Sequence, residues 1–60
     1  MNIYFRLNYE RISKAQAVKL FGKDLLKYYI NEAWKGFLAD PNECQMWQTS
    51  HGLFEVGFDL

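Results

Sequence analysis

The sequence predicts an α+β domain of order β-α-α-β-β, a three-stranded antiparallel sheet with two helices packed on one face. Three observations predict it: an alternating apolar stretch over residues 3–10, two stripes of helical period that fall out of phase at Gly22, and a second alternating stretch over residues 53–60. Sixty residues, 50% of them hydrophobic and with zero formal net charge, suit one folded domain spanning 1–60 rather than a disordered tail.

In the first stretch Ile3, Phe5, Leu7 and Tyr9 share one face, and Tyr4, Arg6, Asn8 and Glu10 share the other, which is the pattern of one half-buried strand. Ser13 and Gln16 then stand at the Ser-x-x-Gln spacing of a capping box, so a helix is expected to start at Lys14 and to carry Ala17, Val18, Leu20 and Phe21 inward. Gly22 follows at a position suited to a left-handed cap.

A helix advances about 100° per residue, and with Leu25 at zero the positions Leu26, Tyr29, Ile30, Ala33 and Phe37 fall between roughly 40° and 140°. Extending that wheel backwards puts Lys19 inside the apolar stripe and Leu20 outside it, so the chain is expected to break at Gly22. The second helix is expected over residues 24–38, ended by Asp40-Pro41, because the residue before proline is pushed out of the α region. Asp40-Pro41-Asn42-Glu43 reads as a type I turn.

The last third reads as a hairpin, with Phe54, Val56, Phe58 and Leu60 on one face of its second strand. A two-residue His51-Gly52 turn pairs Thr49 with Phe54 and Trp47 with Val56, sending Trp47 inward; a three-residue loop from Ser50 pairs Met46 with Val56 and turns Trp47 outward. The two-residue turn is preferred, because His tolerates a left-handed backbone and Gly follows it. The first strand is expected beside the last and antiparallel to it.

Catalytic signatures are absent. The four glycines are isolated, and the single cysteine, Cys44, and single histidine, His51, fall short of a zinc site. The carboxylates are scattered, so no pair is placed to share a proton. The expectation is therefore a protein that is not an enzyme and takes no metal, cofactor or small-molecule substrate. With one cysteine, no visible leader and apolar runs of only three residues, it is expected in the cytoplasm and off the membrane.

Charge is polarised along the chain. Arg6, Arg11, Lys14, Lys19, Lys23 and Lys27 face only Glu10 and Asp24 in residues 1–27, a net +4, and the remainder carries a net −4. Eleven aromatic residues also exceed what so small a core is expected to enclose. Tyr28 falls near 300° on the wheel and Trp34 near 180°, off the buried stripe.

Together these features predict a macromolecule-binding accessory or regulatory factor, of the kind that mobile elements encode, acting by steric or allosteric occupancy. The expected partner is another protein or a second copy of the chain in a homodimer. The expected protein-binding residues are Tyr28, Trp34 and Tyr4 as aromatic anchors, with Lys27 and Lys35 as rim charge. The second-ranked reading is nucleic-acid binding through Arg11, Lys14, Lys19, Lys23 and Lys27.

Overall fold

A computed structural model describes residues 2–59; the expected inward position of Leu60 lies outside the described residues. The elements are β1 (Asn2–Leu7), β2 (Glu10–Ile12), α1 (Lys14–Phe21), α2 (Lys23–Ala39), β3 (Gln45–Thr49) and β4 (Gly52–Asp59). The α+β class, the antiparallel sheet and the covering helices are as the sequence predicts, and the sheet has four strands in the order β2-β1-β4-β3. Among the described residues no helix is long and apolar enough to cross a membrane.

The fourth strand arises because the stretch expected to be one strand folds back on itself. Asn8 and Tyr9 adopt positive φ of 52° and 69°, and Leu7 pairs with Glu10 across them, which is the conformation of a tight two-residue hairpin turn. Tyr9 is therefore not on the apolar face; it sits at the turn, 71% exposed. The Asn8 side chain explains the reversal. Its Oδ1 accepts the Leu53 N–H at 3.0 Å while the Asn8 backbone N–H donates to the Leu53 carbonyl at 2.8 Å, tying the turn to β4.

β1 and β4 pair antiparallel from Asn2 with Asp59 to Leu7 with Phe54, as expected. The β3–β4 hairpin pairs Thr49 with Gly52 and Trp47 with Phe54, two residues away from the expected register. The slip is even, so Trp47 still faces the helices, and Met46 faces away. Its cause is chemical. Thr49 Oγ1 accepts the His51 N–H at 3.1 Å and donates to the Gly52 carbonyl at 2.7 Å, closing the turn over Ser50-His51, and the positive φ falls on Gly52, not on His51.

The helical elements follow their local signals closely. Ser13 and Gln16 form the reciprocal capping box, with Gln16 N–H donating to Ser13 Oγ at 3.1 Å and Ser13 N–H donating to Gln16 Oε1 at 2.9 Å. Gly22, at φ 82° and ψ 159°, is the single residue between the helices, so the expected break is sharp. α2 is capped by Asp40, whose carboxylate accepts the Asn42 N–H and whose carbonyl accepts the Glu43 N–H, forming the expected turn.

Phe5, Ala17, Leu26, Ala33, Phe54 and Val56 form the core between helices and sheet. Ala17 and Ala33 are fully buried, and their small side chains let each helix seat close to its neighbours. Phe54 lies at the centre of an aromatic cluster, 4.5 Å from Phe21 and 5.3 Å from Tyr29 between ring centroids, and Tyr29 in turn packs on Trp47 at 4.8 Å. Trp34, Phe37 and Phe58 form a second cluster at 5.2 to 5.7 Å. The aromatic surplus is thus largely absorbed by packing, and Tyr9 and Tyr28 are the aromatics more than half exposed among the described residues.

Candidate functional site

The break at Gly22 folds α1 back against the first turns of α2 and leaves an open groove between them. Val18 from α1 and Leu26 and Ile30 from α2 form its apolar floor, and Lys14, Lys23 and Lys27 stand around it, enclosing about 300 Å³. These three residue types are there for local reasons. Leu26 and Ile30 lie one turn apart on the buried stripe of α2, and Lys23 and Lys27 lie on its solvent flank at the same spacing. The capping box fixes where α1 begins and so where Lys14 stands.

Electrostatically the groove is one-sided. The ion pairs among the described residues are Arg6–Glu55, Arg11–Asp59 and Lys35–Glu32, so Lys14, Lys23 and Lys27 are exposed cations with no carboxylate partner. α1 contains no acidic residue. Three lysines lining one groove with an apolar floor attract negative charge.

The expected binding residues do not share one surface. Trp34 continues the groove stripe one turn beyond Ile30 and is 38% exposed, held edge-on against Phe58. Lys27 borders the groove itself. Tyr28 and Lys35 occupy the other flank of α2, Tyr28 at 54% exposure and Lys35 engaged with Glu32 at 3.2 Å. Tyr4 is on the far face of the sheet.

Of the five residues expected for nucleic acid, Lys14, Lys23 and Lys27 meet at the groove, whereas Lys19 projects from the outward side of α1, about 100° from Val18 on the helix wheel. Arg11 is not part of a basic helical region; it lies in β2 and turns to the far face of the sheet.

That far face carries its own polar layer. Arg6 and Arg11 place their guanidinium carbons 5.0 and 4.9 Å from the centroid of the Tyr4 ring. Arg11 reaches Asp59 at 3.6 Å, and Arg6 reaches Glu55 at 3.7 Å. Glu55 is 2% exposed, and neither of its carboxylate oxygens has a hydrogen-bond partner among the described residues. Burial and the nearby Glu55 carboxylate push the Tyr4 phenol above its ordinary value, with Arg6 opposing the shift.

Cys44 precedes β3 and His51 follows it, so the two stand about 20 Å apart at 3.3 Å per residue and cannot act as nucleophile and base. Among the described residues no three His, Cys, Asp or Glu side chains group to hold a metal. A second cavity, between the 41–44 loop, Phe37 and β4, measures only about 60 Å³. That is far below the several hundred Å³ typical of small-molecule sites.

Sequence reasoning identified the lysines individually but missed the groove, because α1 and α2 become its two walls only when Gly22 reverses the chain. The out-of-phase stripes were the signal for that reversal. No family model matches the chain, and neither a curated protein nor a solved structure matches it.

Proposed function

We propose that this protein is a non-enzymatic binding module that docks another protein on the face made by α1 and α2. One observation carries the reading: an apolar floor of Val18, Leu26 and Ile30 surrounded by three lysines that have no ion-pair partner among the described residues. An apolar centre with a charged rim is the anatomy of a protein interface, in which the centre supplies affinity and the rim supplies orientation and on-rate.

Size argues the same way. A standard interface takes about 800 Å² from each partner, roughly a fifth of the 4225 Å² that this chain exposes. The groove alone is smaller than that, so the docking surface extends along α2 to Trp34 and Leu38, which are 38% and 63% exposed.

The experiment is a charge reversal on the full chain, Lys14→Glu with Lys23→Glu and Lys27→Glu, tested against a protein captured by the wild type, identified, and re-measured in pure form by calorimetry. The expected result is at least about tenfold weaker binding by the variant with unchanged thermal stability, since all three side chains are exposed. Equal binding by the variant, or capture of nothing that binds in pure form, refutes the reading. Gel shifts with random duplex and single strands at two salt concentrations test the phosphate alternative; a salt-sensitive shift abolished by the same variant replaces the protein partner with nucleic acid.

A further inference from the structure

The geometry points to an acidic amphipathic helix of another protein as the occupant of the groove. This assignment rests on the α1–α2 face being the docking surface, and it adds the conformation and charge of what docks there.

Shape comes first. Leu26, Ile30, Trp34 and Leu38 recur at a spacing of four along α2, a row about 18 Å long at 1.5 Å per residue. α1 walls the first half of that row through Val18. A helix of three to four turns matches this length, and its own anchors at i, i+4 and i+7 fill such a channel.

Backbone chemistry excludes an extended segment. The walls and floor are helices, whose interior N–H and C=O groups are already paired with one another. An extended strand laid between them leaves its own backbone groups unpaired against an apolar floor, which costs free energy at each one. A helix satisfies its backbone internally. The places where this fold can accept a strand are the outer edges of β2 and β3, which belong to the sheet.

Charge then fixes the chemistry. Lys14, Lys23 and Lys27 gather where α1 covers the row, while toward Leu38 the nearest cation, Lys35, is paired with Glu32. The complementary helix therefore carries Asp or Glu beside its apolar anchors at the end that meets these lysines. A second copy of this chain does not supply it: α1 has no acid, and of the two acids of α2, Glu32 is paired with Lys35 and Asp24 stands alone next to Lys23, so neither helix presents a row of acids. The partner is a different protein.

The test pans a library of 16-residue peptides, randomised in apolar and charged positions, against the intact protein. Selected peptides are then measured by circular dichroism, by titration against the wild type and the Lys23→Glu/Lys27→Glu variant, and by backbone amide shifts. The expected result is enrichment of Asp and Glu beside Leu, Ile or Phe at i, i+4 and i+7 and a gain of helix on binding. Perturbed amides should include Val18, Ile30 and Trp34, and affinity should fall at least about tenfold in the variant. Basic or extended peptides mapping to the same amides overturn the acidic helix while leaving docking on this face in place. Acidic helices that bind elsewhere, or that bind the variant equally, overturn the assignment, and a library with no enrichment overturns both this assignment and the docking face.

Discussion

Arg6 and Glu55 are direct partners across the central β1–β4 ladder, and among the described residues the arginine is the one positive group within 4 Å of a carboxylate that is otherwise sealed from solvent. A buried charge whose partner is removed is left with its desolvation cost uncompensated. Arg6→Ala is expected to destabilise the fold by about 2 kcal/mol, below the cost for a fully buried pair because the arginine side chain is 40% exposed. In a Glu55→Gln background the same change is expected to cost about half as much, because no charge is stranded. Urea denaturation of the four proteins of this cycle measures the difference, and equal costs in both backgrounds would show that the pair is not coupled.

Tyr4 lies so close over Gly57 that any side chain at 57 would occupy the space of its phenol ring. Because burial and the Glu55 charge raise the Tyr4 pKa in the folded state above its ordinary value of 10.0, the folded protein holds that proton more tightly than the unfolded chain. The sign follows directly. This contribution to stability is complete below pH 10 and is lost as pH rises through the folded-state pKa. Thermal melts from pH 8 to 11 should show a steeper alkaline decline for the wild type than for Tyr4→Phe, and superimposable slopes would remove Tyr4 as the cause.

Trp34 and Tyr28 are both exposed aromatics on α2, yet they are not equivalent. Trp34 packs on Phe37 and Phe58, and Tyr28 touches only the edge of Tyr29 among the aromatic rings. Trp34→Ala is expected to cost about 2 kcal/mol through lost packing, and Tyr28→Ala about 0.5 kcal/mol or less. A double substitution is thus a poor probe of binding, since its effect on the fold comes from one member. Chemical denaturation of each single variant tests this, and similar midpoints would contradict the packing argument.

Gly22 occupies φ 82° with ψ 159°, a combination essentially confined to glycine, and a methyl group there would meet nothing within 4 Å. Gly22→Ala is therefore expected to destabilise by about 1–3 kcal/mol from backbone strain alone. Asn, which often rescues left-handed sites, is expected to give no advantage over Ala, because ψ here lies far from the left-handed helical value. A variant with Ala as stable as the wild type would mean that the interhelical link relaxes freely.

The parts of the fold that were legible in the sequence are those set by local chemistry. Ser13 and Gln16 specify their capping box within four residues, and the phase conflict between Lys19 and Leu20 exposes the break at Gly22 without knowledge of the rest of the chain. The β1–β2 hairpin was not legible, because Tyr9 continues the alternation of Ile3, Phe5 and Leu7, and the force that reverses the chain is the bond from Asn8 to Leu53, 45 residues away. The β3–β4 register was missed for a related reason: the Thr49 hydroxyl, rather than a left-handed His51, closes the turn. For the candidate site, the charges were visible and their convergence was not. Arg11 and Lys14 are three residues apart, but they end on opposite faces of the sheet.

The pairing of β1 with β4 has a consequence for the order of events during synthesis. The two central strands come from opposite ends of the described chain, and most of the sheet's pairing waits on residues 52 to 59. During synthesis only the β1–β2 hairpin and the two helices can assemble before residues 52–59 are added, so Phe5 and Leu26 lack their cover from Phe54 and Val56 until that strand is made.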